Sequence, residues 1–138
     1  MGTFVIVGAA SGLLFGVLDG VINANPLARR LSEWCLPVAR TSLNVVAGVA
    51  IDLAYGFAMA GLFVLLYAGL PGGTGLLKGV SFALVAWFFR VAMSVLSQWM
   101  TFRVPVRALV YSLLTGLAEM LVLGVLYGLT LTGGWPPA

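Results

Sequence analysis

The chain has 138 residues, 62% of them hydrophobic and 8% charged, with a formal net charge of +3 and a mean hydropathy of +1.12. A soluble domain carries roughly a quarter of its residues as charges, and a chain this short cannot enclose so much apolar surface in one aqueous core. The composition excludes a water-soluble globule and points to lipid as the solvent.

Four apolar runs, each of roughly 20 residues or more, are long enough to cross a ~30 Å hydrocarbon layer as helices. They lack the alternation of membrane strands, so a barrel is not expected. The fold class expected is all-α: a four-transmembrane-helix bundle forming a single domain over 1–138, with a short interfacial amphipathic helix between the first two spans.

The first span is expected over about 3–25, ending at Asn25-Pro26. It has no basic leader and no small-residue cleavage site, so it reads as a retained span rather than a secretory signal. In PLARRLSEWC (26–35), Leu27, Leu31, Trp34 and Cys35 share one side, with Arg29, Arg30 and Glu33 on the other. Asn25 suits a helix cap and Pro26 a first helical position. This is the expected amphipathic helix lying in the interface. The second span is expected over 43–70, and GLPGGTG (69–75) is short enough to make the second and third helices an antiparallel pair. The third span is placed at 76–100 and the fourth at 106–131.

Lys and Arg in short loops set orientation. The 26–42 connection carries Arg29, Arg30 and Arg40, and the next loop on that side carries Arg103 and Arg107; the opposite side has Lys78. Both termini are therefore expected outside, periplasmic in a bacterial inner membrane. Trp34, Trp99 and Phe102 sit near the inner interface and Trp135 near the outer one.

Each span holds an ionisable residue deep in its apolar run: Asp19, Asp52, Arg90 and Glu119. At about 100° per residue, every one falls on a small or polar stripe of its helix. Gly8, Gly12, Gly16 and Asn23 accompany Asp19; Gly48, Tyr55 and Gly56 accompany Asp52. Ala83, Ser94 and Ser97 lie beside Arg90, and Ser112, Thr115 and Gly116 beside Glu119. Small stripes are where membrane helices pack, so the charges are expected to turn inward on one another. Counted from the inner ends at ~1.5 Å per residue, they lie about 9 to 20 Å deep. The intramembrane polar cluster expected comprises Asp19, Asn23, Asp52, Tyr55, Arg90, Ser94, Thr115 and Glu119.

A charge at a helix centre costs about 2.5–3.5 kcal/mol even on the lenient insertion scale. Arginine does not shed its proton, and three acids cannot all be ionised cheaply beside one guanidinium. At least one acid is therefore expected to be protonated, or solvated by a water-filled cavity or a bound cation. Asp19 or Asp52 is expected to pair with Arg90, with Glu119 the acid that holds its proton more readily than usual. Glue between helices needs one acid per arginine; the surplus acids point instead to a path or site for a proton, cation or small polar solute.

Other motifs carry less. GGTGLLKG lacks the spacing of a phosphate-binding loop. Met59, Met93 and Met120 read as core filling rather than copper ligands. Gly124 and Gly128 lie away from Glu119 and suggest a second contact face, for a homo-oligomer or a larger membrane complex. One cysteine and no histidine rule out an intrachain disulfide and imidazole-based haem or zinc sites. No catalytic set is present, so no enzyme activity and no cofactor are expected. The basic residues form no soluble patch, so no nucleic-acid partner is expected.

The run LLYAGLPGGTGLLKGVSFALVAWFF (65–89), with LAEMLVLGVLYGL (117–129) after it, resembles small four-span bacterial membrane proteins of unknown function. The resemblance implies a four-helix fold and bacterial inner-membrane residence, and implies no activity. The residues themselves suggest a small multi-pass channel or transporter, with an accessory or assembly subunit of a larger membrane complex as the alternative.

Overall fold

The computed structural model describes residues 1–37, 42 and 44–133; Arg40 and Trp135 lie outside the described residues. The chain folds as helices α1 (Gly2–Ala24), α2 (Pro26–Leu31), α3 (Val45–Leu66), α4 (Gly75–Trp87), α5 (Met93–Thr101) and α6 (Val106–Thr130). A 3-10 turn, Glu33–Cys35, follows α2, and a π turn, Phe88–Ala92, joins α4 to α5. Among the described residues, four helices are long and apolar enough to cross a membrane: Gly2–Ala24, Val45–Leu66, Gly75–Thr101 and Val106–Thr130. The chain is thus an all-α bundle of a multi-pass membrane protein.

Local chemistry sets the helix starts. Asn25 accepts a hydrogen bond from Ala28 N at 2.9 Å with Pro26 at the first helical position. Asn44 caps α3 through Ala47 N at 3.1 Å, and Thr74 caps α4 through Leu77 N at 3.3 Å. Each side-chain oxygen satisfies an amide with no partner in its own helix. In the tight connection before α4, Gly72 takes φ +134°, and a Cβ there would strike Leu77 and Lys78; only glycine fits.

Packing divides the bundle into two tight pairs, α1 with α3 and α4 with α6. In the first pair, Gly12 and Gly56 bring the backbones together: a Cβ on Gly12 would lie 2.7 Å from Leu53 Cα, and one on Gly56 would meet the Gly12 backbone. In the second, Gly75 and Gly79 face Gly128 and Gly124. The expected external role of Gly124 and Gly128 is therefore corrected: both are buried inside the chain against α4. The stripe does serve close helix approach, but with a partner from the same chain.

The second correction concerns α3 and α4. The short turn joins them, yet they are not a tightly packed pair. They meet through the Phe63 and Phe82 rings, 5.4 Å apart, and Lys78 Nζ donates to Tyr67 O at 2.6 Å. Below those rings an apolar groove of about 440 Å³ opens between them, lined by residues including Tyr55, Met59, Leu62 and Phe89, with Arg90 at its inner end. The two glycine interfaces hold closer backbones than these bulky faces permit, and so decide which helices pair.

Between the pairs, Phe63, Phe82, Met120, Leu123 and Tyr127 are almost wholly buried and fill the half of the bundle away from the arginine loops. Ser11 Oγ donates to Gly56 O at 3.2 Å, and the Tyr127 hydroxyl donates to the same carbonyl at 3.5 Å. One backbone oxygen thus ties α1, α3 and α6. Outward faces are apolar, with Ile6, Val46 and Phe89 at least 70% exposed, as lipid contact requires.

Replacing Gly79 by leucine is expected to separate α4 from α6 and to destabilise the fold by about 1–3 kcal/mol, the usual cost of overpacking. Gly20→Leu, where a Cβ meets nothing, serves as the control. Denaturant unfolding in detergent micelles reads both, and equal midpoints would contradict the packing assignment.

Candidate functional site

Arg90 sits in the π turn, where the chain carries one residue more per turn than an α-helix and the Met93 amide bonds back to Phe88 O. The neighbouring helix makes room for this turn: a Cβ on Gly116 would lie 2.7 Å from a Val91 methyl. Trp87 Nε1 donates to Leu113 O at 3.0 Å just before the turn begins. The π turn is thereby pressed onto α6, one helical turn from Glu119.

Arg90 Nη1 lies 3.1 Å from Glu119 Oε2. Its guanidinium carbon also lies 4.5 Å from the Phe15 ring centroid and 4.6 Å from that of Tyr55. Those two rings pack on each other at 4.5 Å, so one cation caps an aromatic pair contributed by α1 and α3. Ring faces attract a cation more strongly where water is scarce. The arrangement corrects the expected pairing: the partner of Arg90 is Glu119, not Asp19 or Asp52. The reason is adjacency, since the glycine contacts seat the third span against α6, whereas Asp19 and Asp52 belong to the other pair.

Glu119 is 5% exposed, and its Oε1 has no hydrogen-bond partner among the described residues. The Arg90–Glu119 contact is single rather than forked, leaving this oxygen uncompensated.

A polar cavity of about 420 Å³ runs from this ion pair to the arginine-loop end of the bundle. It is lined by Asp19 and Asn23 from α1, Arg90, Ser94 and Gln98 from the third span, and Tyr111, Thr115 and Glu119 from α6, among others. A smaller space of about 120 Å³, sharing Asn23, Gln98 and Tyr111, continues beneath α2 to Ser32 and Trp34. Tyr111 fixes the mouth: its hydroxyl donates to Ile22 O at 2.7 Å and accepts from Asn25 Nδ2 at 2.7 Å. On the far side of the ion pair the aromatic core fills the centre of the bundle.

Of the eight residues singled out from the sequence, six line this cavity: Asp19, Asn23, Arg90, Ser94, Thr115 and Glu119. Asp19 is exposed at its wall, and its Oδ1 accepts from Asn23 Nδ2 at 2.9 Å. Tyr55 stands behind Arg90, its hydroxyl 3.9 Å from Met120 Sδ. Asp52 is placed elsewhere. Its carboxylate covers Gly16 in a separate crevice between α1 and α3, bordered also by Asp19, Gly48 and Asn44. Phe15, Gln98 and Tyr111 had not been singled out. Phe15 lies four residues before Asp19, one turn away on the same face, which was a usable signal. Gln98 and Tyr111 reach the mouth only through the packing of α5 and α6.

No protein-family model matches the chain, and no curated protein or solved structure matches it. The functional reading rests on this geometry.

Removing the arginine strands a buried carboxylate, and removing the glutamate leaves the partly exposed Arg90 without its counter-charge. Arg90→Gln and Glu119→Gln are each expected to destabilise the protein, and the double variant less than their sum, with a coupling of about 1–3 kcal/mol. A double-mutant cycle by unfolding in micelles measures it; additive effects would contradict the pairing.

Proposed function

We propose that the protein is a small membrane transporter or channel that admits a proton, a cation or a small polar solute from the side of its arginine-bearing loops. One observation carries this reading: a polar cavity ends at a deeply buried carboxylate that keeps an uncompensated oxygen. Ionisable groups inside a membrane are costly and commonly mark solute or proton paths. A forked arginine–carboxylate contact would use both oxygens; this single contact leaves one of them without a donor.

In this reading Glu119 is the end station, Asp19 attracts the solute at the wall, and Arg90 balances charge. The aromatic pair under Arg90 holds the cation in place while the carboxylate changes partners. The positive-inside rule puts Arg29, Arg30, Arg103 and Arg107 on the cytoplasmic side, with both termini periplasmic in a bacterial inner membrane. Passage through the centre of the bundle then requires the buried aromatic core to shift, which makes alternating access the better fit than a static pore. The reading is non-enzymatic.

A second reading, an accessory subunit of a larger membrane complex, draws on Asp52. Its crevice opens to the bundle's outer surface beside Gly20 and Gly48, where a Cβ would meet nothing. Another membrane helix, from a second copy or another subunit, fits such a face.

Purified protein reconstituted in vesicles is expected to carry a proton or monovalent-cation flux that Glu119→Gln reduces at least tenfold. Asp52→Asn, outside the cavity, is expected to leave most of it. Absence of flux in the parent protein, or a loss with Asp52→Asn as large as with Glu119→Gln, would contradict the assignment.

A further inference from the structure

The charges on the cavity wall discriminate among solutes, a step that rests on the transport reading above. Two carboxylates, Asp19 and Glu119, share the cavity with one guanidinium, Arg90. Arginine stays charged, so the ionised wall is negative by one. A buried carboxylate oxygen without a donor is costly in a poorly solvated site, and Glu119 Oε1 is such an atom. A ligand with one positive charge and several hydrogen-bond donors supplies both missing elements.

The alternatives fit less well. A hard metal cation needs about six convergent oxygens, and no group of three or more acidic, cysteine or histidine side chains suited to a metal occurs among the described residues. A bare proton needs no chamber of about 420 Å³, a volume typical of small-molecule sites. A zwitterion would leave the excess negative charge in place. An ammonium group carries three donors and no acceptor, which matches the Glu119 carboxylate on the cavity lining and the Asp19 oxygen not taken by Asn23. Gln98 and Thr115 add neutral hydrogen-bonding groups for a polar body.

We propose that the cavity binds a small hydrophilic organic monocation, with a primary ammonium taken by Glu119 and Asp19. Ethanolamine is the probe. In calorimetric titration of the full chain in micelles it is expected to bind, with at least tenfold weakening in both Glu119→Gln and Asp19→Asn. Asp19 is exposed, so its variant keeps the test open if Glu119→Gln does not fold. Sodium and glycine at the same concentration are expected not to displace ethanolamine. Absence of binding, binding unchanged in Asp19→Asn, or displacement by sodium or glycine would overturn the assignment. Counterflow of labelled ethanolamine in vesicles separates the two levels. Binding without counterflow contradicts the transport reading, whereas proton flux without ethanolamine binding contradicts the amine.

Discussion

An arginine inside a membrane span cannot discard its charge, so the rest of the bundle must accommodate it. Here that demand falls on Arg90 and is met from three sides. Glu119 of α6 supplies an opposite charge, while Phe15 of α1 and Tyr55 of α3 supply ring faces. The cation thus touches every other span. The π turn that carries it packs where Gly116 has no side chain, so local backbone irregularity and the central electrostatic contact occupy one place. π turns recur at functional sites because they re-aim a side chain at little cost to the helix.

The cavity follows from how the helices pair. Glycine contacts draw α1 to α3 and α4 to α6 closely enough that a methyl group at Gly12, Gly56 or Gly79 would meet backbone atoms. The seam between the two pairs is looser and is filled differently along its length. In one half, Phe63, Phe82 and Tyr127 close it. In the other, asparagine, serine, glutamine, tyrosine and threonine side chains line it. Arg90 and Glu119 mark the boundary, which gives the bundle a polar chamber on one side and a plug on the other.

Much of this was legible from residue order. The four spans follow from apolar length, and the Asn25 cap with Pro26 behind it follows from capping chemistry. The helical stripes place Asn23, Ser94 and Thr115 beside the charges they neighbour. The partner of Arg90 was not legible, because depth and angular position are shared by three acids, and only inter-helix packing chooses one. The same limit hid the role of Gly124 and Gly128. A small stripe states that something approaches closely, without stating whether it belongs to the same chain. Asp52 turned to a separate crevice because Gly16 leaves space there for its carboxylate, a fit that depends on the register between α1 and α3. The π turn has no signature in FFRVA, since its extra residue is accommodated by Gly116 on another helix.

Whether the polar groups face a water-accessible chamber on one side of the bundle is the central question, and cysteine labelling answers it most directly. In a background with Cys35 replaced by alanine, Ser94→Cys is expected to react with a membrane-impermeant maleimide. It should do so from the same side that labels native Cys35, which lies just beyond α2. Leu114→Cys, on the lipid-facing surface of α6, should remain unreactive. Failure of Ser94→Cys to react, or labelling of both positions alike, would contradict a one-sided polar cavity.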